Sequence, residues 1–70
     1  MNMNQLWREL EKIERKNGLR VENCGDNFEF HRLRDNRVVY LNETALKSIT
    51  KNKVTKQSAK AVMRYVKTCY

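Results

Sequence analysis

The sequence predicts a single small α+β domain in the order α-β-β-β-α-α, with a three-stranded antiparallel sheet packed by helices. Three observations predict this class. Apolar residues recur at helical spacing in the first and last parts of the 70-residue chain. The middle alternates apolar and polar residues between turn-forming segments. The chain has no proline and two glycines, and 40% of its residues are hydrophobic, which favours a compact domain over a disordered basic tail.

The first helix is predicted over about 4–16. Its apolar residues follow the spacing i, i+3, i+4, i+7 and i+10, which places them on one helix face. They are Met3, Leu6, Trp7, Leu10 and Ile13. Asn2 or Asn4 is the expected cap. Asn17 and Gly18 are the expected stop, because glycine adopts left-handed dihedral angles without steric cost.

Three strands are predicted over about 19–23, 28–33 and 37–41. The first two alternate apolar residues with charged or polar ones, and the third is rich in β-branched and aromatic residues. Turn-forming residues at 24–27 and 34–37 are expected to join the strands antiparallel. One face of this sheet should be apolar and covered by helices. We expect that face to carry Leu19, Val21, Phe28, Phe30, Val38 and Tyr40.

Two further helices are predicted over about 43–50 and 55–68. Asn42 is the expected cap of the first, and the segment 51–53 is expected to end it. Val54 and Thr55 should form the hydrophobic staple and the cap of the last helix. The residues of the helix at 43–50 that should face the core are Ala45, Leu46 and Ile49. Those of the helix at 55–68 are Ala59, Val62, Met63, Val66 and Cys69.

The charge of the chain is distributed unevenly. All eight acidic residues lie within residues 1–43, where eight basic residues balance them. Residues 44–70 contain no acid, so they carry the whole net charge of +7. Four basic residues of the last helix, Lys56, Lys60, Arg64 and Lys67, fall within an arc of about 80° on one face. Such asymmetry is typical of proteins that bind polyanions, of which nucleic acid is the commonest in a cell.

The leading hypothesis is therefore a small cytoplasmic protein that binds DNA or RNA through phosphate contacts, with modest sequence specificity or none. The predicted contact residues are Lys51, Lys53, Lys56, Gln57, Lys60, Arg64 and Lys67. A secondary basic cluster consists of Arg32, Arg34 and Arg37. In one interpretation these arginines and the nearby Phe28 and Tyr40 stack on unpaired bases. In the other, the arginines form ion pairs with Glu29 and Asp35, and both aromatic residues lie in the core.

Residues 45–66 resemble a helix-turn-helix unit. The resemblance rests on the inward residues, the apolar turn residue and the cap, which are Ile49, Val54, Thr55, Ala59 and Val62. It implies that Lys56, Gln57 and Lys60 lie early in a recognition helix, where Gln57 would reach a base edge. The segment departs from that unit at Ile49, where alanine is usual, and at Lys53, where glycine is usual.

The main alternative is a phage or mobile-element accessory protein whose basic helix docks on an acidic patch of a host protein and modulates it. Trp7 and Tyr70 would suit such an interface, because aromatic residues are frequent binding hot spots, although the helical spacing also places Trp7 in the core. A third hypothesis is a homodimer, formed through an apolar face of the last helix that continues to Cys69 and Tyr70.

No enzyme, cofactor, metal site or membrane span is expected. His31 has no serine or cysteine partner at the spacing of a known catalytic motif. One histidine with Cys24 and Cys69 cannot supply four zinc ligands, so both thiols should be free, mostly buried and in a reducing compartment. No apolar run approaches the roughly 18 residues of a membrane-spanning helix.

Overall fold

The computed structural model describes all residues from 1 to 70 and has two layers, a three-stranded sheet and three helices that pack on one of its faces. The elements occur in the predicted order α-β-β-β-α-α. They are α1 (Met3–Ile13), a 3-10 turn (Arg15–Asn17), β1 (Leu19–Asn23), β2 (Asn27–Arg32), β3 (Val38–Asn42), α2 (Glu43–Thr50) and α3 (Lys56–Thr68). None of the helices has the length and apolar character that crossing a membrane requires.

The helix ends follow the local signals in the sequence. The Asn2 side chain accepts hydrogen bonds from the backbone N–H groups of Asn4 and Gln5 in the first turn of α1, and the Asn42 side chain accepts one from the Ala45 N–H in the first turn of α2. Thr55 and Ser58 form a reciprocal capping box at the start of α3. Helix α1 ends at Ile13, and Gly18 ends the 3-10 turn that follows it, in the left-handed conformation with φ 67°. The caps Asn2, Asn42 and Thr55 and the stop at Gly18 confirm the predictions from the sequence, whereas the return hydrogen bond to the Ser58 side chain was not predicted.

The sheet has the strand order β1-β2-β3, and both pairs are antiparallel. Phe28 pairs with Leu41, and Phe30 pairs with Val39. Because directly opposed residues point to the same face, Val39 and Leu41 face the core with the two phenylalanines.

The predicted inward positions of β3 were therefore wrong. Tyr40 is 62% exposed on the open face of the sheet, and Val38 lies on that same face because it pairs with His31. Val39 and Leu41 take the inward places, as their pairing with the two buried phenylalanines requires.

The core joins all six main elements. Its twelve buried apolar residues are Leu6, Leu10, Leu19, Val21, Phe28, Phe30, Leu41, Leu46, Ala59, Val62, Met63 and Val66. Cys69 does not belong to it, because α3 ends at Thr68 and the Cys69 thiol turns back to the Tyr65 carbonyl oxygen. Cys24 and Cys69 are both free and exposed, so the expectation of mostly buried thiols was wrong.

Helix α1 is anchored along the outer edge of β1 by two side chains. The Trp7 Nε1–H group donates to the Val21 carbonyl oxygen at 3.1 Å. The Glu14 carboxylate accepts a hydrogen bond from the Val21 N–H at 2.8 Å. These contacts satisfy polar groups that an edge strand would otherwise leave open. Lys12 lies about 140° or more around α1 from both anchors, so the anchoring turns Lys12 away from the sheet edge and towards α3.

Candidate nucleic-acid interface

Helices α1 and α3 pack side by side and leave a long surface groove between them. Three adjoining depressions make up this groove, and neighbouring depressions share lining residues such as Lys60 and Lys12. We call it the interhelical groove and define it by its charged residues. These are Arg8, Glu9, Lys12 and Lys16 on the α1 side and Lys56, Lys60, Arg64 and Lys67 on α3.

The α3 wall is formed by the basic stripe that the sequence predicts. Its four basic side chains are all exposed, whereas Val62 and Val66 on the far side of the helix are fully buried. The packing of these valines fixes the rotation of α3. The basic stripe is thereby directed along the groove rather than distributed around the helix.

The α3 wall has no neutralising partner. The ion pairs of the protein involve other basic residues, and none of them reaches Lys56, Lys60, Arg64 or Lys67. Glu9 is the single acidic residue of the groove, and its carboxylate lies 2.8 Å from the Lys12 ammonium. A groove lined by one sign of charge concentrates the field and attracts anions. Apart from the Glu9–Lys12 pair, the charged residues of the interhelical groove are therefore unpaired and positive.

The structure brings together four of the seven predicted contact residues and leaves the other three outside the groove. Lys51 and Lys53 lie in the turn between α2 and α3, where Lys51 adopts a left-handed conformation with φ 54°. Gln57 is exposed but is rotated about 100° around α3 from Lys56. None of these three side chains lines the interhelical groove.

The basic residues on the α1 side of the groove, which we call the α1 wall, were not predicted from the sequence. Arg8, Lys12 and Lys16 line the groove, but the charges of residues 1–43 cancel in the sum. The spacing of these three residues, i, i+4 and i+8, is a signal that could have revealed them, because it places them close together on one helix face. The stripe is apparent only from the helix geometry, because acidic residues elsewhere in residues 1–43 balance its charge.

The secondary basic cluster is partly neutralised. The Arg32 guanidinium donates two hydrogen bonds to the Asp35 carboxylate, at 2.9 and 2.6 Å, and Arg37 lies 3.7 Å from the same carboxylate. The hydrogen bonds from Arg32 lower the pKa of Asp35 to about 2. Arg32 also lies over the Tyr70 ring, 4.6 Å from its centroid. The predicted pairing with Asp35 is confirmed for Arg32 and Arg37. Arg34, the third residue of the cluster, makes no ion pair.

The open face of the sheet carries a mixed cluster of charged side chains. The His31 Nε2 atom lies 3.0 Å from Glu29 and 3.6 Å from Glu22, so the expected pairing of an arginine with Glu29 was wrong. The three donor groups lie close enough to hold a metal ion, all within 4.8 Å of one another. Glu22 also forms an ion pair with Arg20. The ion pair of Glu22 with Arg20 and the hydrogen bond between His31 and Glu29 account for this cluster, which lies on the sheet face opposite the helices.

No protein-family model matches the chain, no curated protein matches it, and no solved structure matches it. The fold and the surface therefore define the class by themselves: a small α+β domain with a basic groove between its first and last helices.

Proposed function

We propose that the protein binds nucleic acid and that the interhelical groove holds the sugar-phosphate backbone. One observation carries the proposal: four basic side chains line the α3 wall without a carboxylate partner, and Lys16 lines the same groove from the α1 side. Lysine acts as a compact point charge towards a phosphate, and arginine adds a planar fork of donors.

The length of the α3 wall suits several phosphates. The eleven-residue step from Lys56 to Lys67 corresponds to about 16 Å of helix. Measured along the axis of a duplex, one strand presents a phosphate about every 3.4 Å, so a wall of that length spans at most about five phosphates. Four contacts from α3 are therefore sterically reasonable, and each contact releases condensed counterions into the solvent.

The alternative of a host-protein partner receives less support from the fold. Trp7 and Tyr70, which would anchor a protein interface, use their polar groups inside the domain, because they donate to the carbonyl oxygens of Val21 and Phe30. The apolar face of α3 contributes to the core, so it offers little to a homodimer. Charge without aromatic anchors favours a phosphate ligand over a protein surface.

A salt titration tests the proposal. Fluorescence anisotropy would follow binding of the protein to a labelled 20-base-pair duplex between 50 and 200 mM salt. Phosphate contacts by the four basic residues of α3 give a slope of about −3.6 in log affinity against log salt, a loss of about 150-fold over this range, and a contact by Lys16 makes the slope steeper. An affinity that hardly changes with salt, or no binding at 50 mM salt to any DNA or RNA, duplex or single-stranded, would contradict the proposal.

A further inference from the structure

The interhelical groove contains no aromatic side chain. Lysine, arginine, glutamate and small or aliphatic residues make up most of its lining. The most exposed aromatic residues lie elsewhere. Tyr40 is on the open face of the sheet, and Tyr65 is at least about 100° around α3 from each residue of the basic stripe. Proteins that hold single strands commonly stack the bases on aromatic side chains, so unpaired bases would find no platform here.

The shape of the groove restricts which part of a nucleic acid can enter. Lys60 and Lys16 line the same depression from opposite walls, so the basic stripe of α3 is a wall of a groove and not a protruding ridge. A recognition helix must project into the major groove to reach base edges. A ligand of this groove must therefore present a convex surface. The sugar-phosphate backbone of a duplex is convex, and the bases of the duplex point inward.

We infer that the ligand of the interhelical groove is a double-stranded nucleic acid, held by one backbone strand without readout of the bases. This inference rests on the proposed function and adds the class of nucleic acid to it. A duplex presents its phosphates in a fixed row, so the two walls meet an ordered ligand and less conformational freedom is lost on binding. DNA and RNA duplexes share this chemistry.

The test compares duplexes with single strands. Anisotropy titrations at 100 mM salt would use a 20-base-pair DNA duplex, the matching RNA duplex and their separate strands of unstructured sequence. We expect at least one duplex to bind about tenfold or more tightly than its strands. Two duplexes of the same type but unrelated sequence should bind within about twofold of each other. Whichever sugar is preferred, a duplex preference supports the inference.

Two outcomes would overturn the inference while leaving the proposed function standing. One is binding of single strands as tight as that of both duplexes, and the other is a preference above tenfold between unrelated duplexes of one type. Absence of binding to every probe would overturn both proposals together.

The α1 wall has its own matched pair of variants. Lys16→Glu, inside the groove, should reduce the salt slope by about one unit. Arg15→Glu changes the same charge at the adjacent residue, which lines no part of the groove, and should leave the slope unchanged. Equal slopes for the two variants would show that Lys16 does not hold the backbone.

Discussion

Reversing two charges on the α3 wall should abolish most of the binding without affecting the fold. The variant is Lys60→Glu combined with Arg64→Glu. Both side chains are exposed and form no ion pair, and both lie away from the buried face of α3. We therefore expect the circular dichroism spectrum and the melting temperature to stay close to those of the parent protein.

The size of the effect follows from the two phosphate interactions that this variant removes. Each such interaction contributes about 0.9 to the slope of log affinity against log salt. Because 0.1 M salt is one decade below 1 M, each interaction raises log affinity at 0.1 M by about 0.9 relative to 1 M. Removing two of them then weakens binding by about 60-fold. The introduced carboxylates repel the backbone, so this value is a lower bound. Anisotropy with a labelled duplex at 0.1 M salt measures it directly.

The matched control is Arg15→Glu combined with Arg34→Glu. It lowers the net charge by the same four units, and neither residue lines the groove or forms an ion pair. At 0.1 M salt the Debye length is about 10 Å, so charges away from the ligand are largely screened. We expect the affinity to fall by less than about fivefold. Equal effects of the two double variants would refute the assignment of binding to the interhelical groove.

Three further predictions concern the fold that positions the groove. Phe30→Ala removes a ring that is 0% exposed and should lower the free energy of unfolding by about 3–5 kcal/mol. That loss is comparable to the whole stability expected of so small a core. A cooperative urea transition like that of the parent would contradict this prediction. Thr55→Ala removes the cap of α3 and should lower the free energy of unfolding, measured by urea titration, by about 1 kcal/mol. The control Thr44→Ala changes an exposed residue of α2 and should have little effect on that free energy. The pKa of Asp35 is lowered to about 2 from its ordinary value of 3.8. Its pairing with Arg32 should therefore stabilise the fold fully above about pH 4 and lose that effect as the pH falls through about 2. A carboxyl titration followed by NMR with a midpoint near the ordinary value would exclude this pairing.

Local signals predicted the elements well because each signal acts within a few residues. An asparagine or threonine that caps a helix bonds backbone groups two or three positions later, as Asn42 and Thr55 do. Gly18 ends its helical segment through its own dihedral angles. No distant part of the chain is needed for these choices, and the element order followed directly from them.

The orientation of β3 lay beyond such signals. Its sequence places four consecutive apolar or aromatic residues, Val38 to Leu41, in one strand. The alternation that identifies an inward face is missing from this run, so either face fits the pattern. The choice was made by the pairing with β2, because Phe28 and Phe30 hold Leu41 and Val39 on their own side of the sheet.

The elements, their order and the basic stripe of α3 could all be predicted from the chain, because periodicity and capping depend on neighbouring residues. That this stripe is one wall of a groove depends on packing between distant residues. The hydrogen bonds of Trp7 and Glu14 to Val21 fix α1 along the sheet edge, and this turns Lys12 and Lys16 towards α3. Glu22 and Glu29 lie on the opposite face of the sheet. Charges that cancel along the chain are thus separated in space, because packing distributes them over different surfaces.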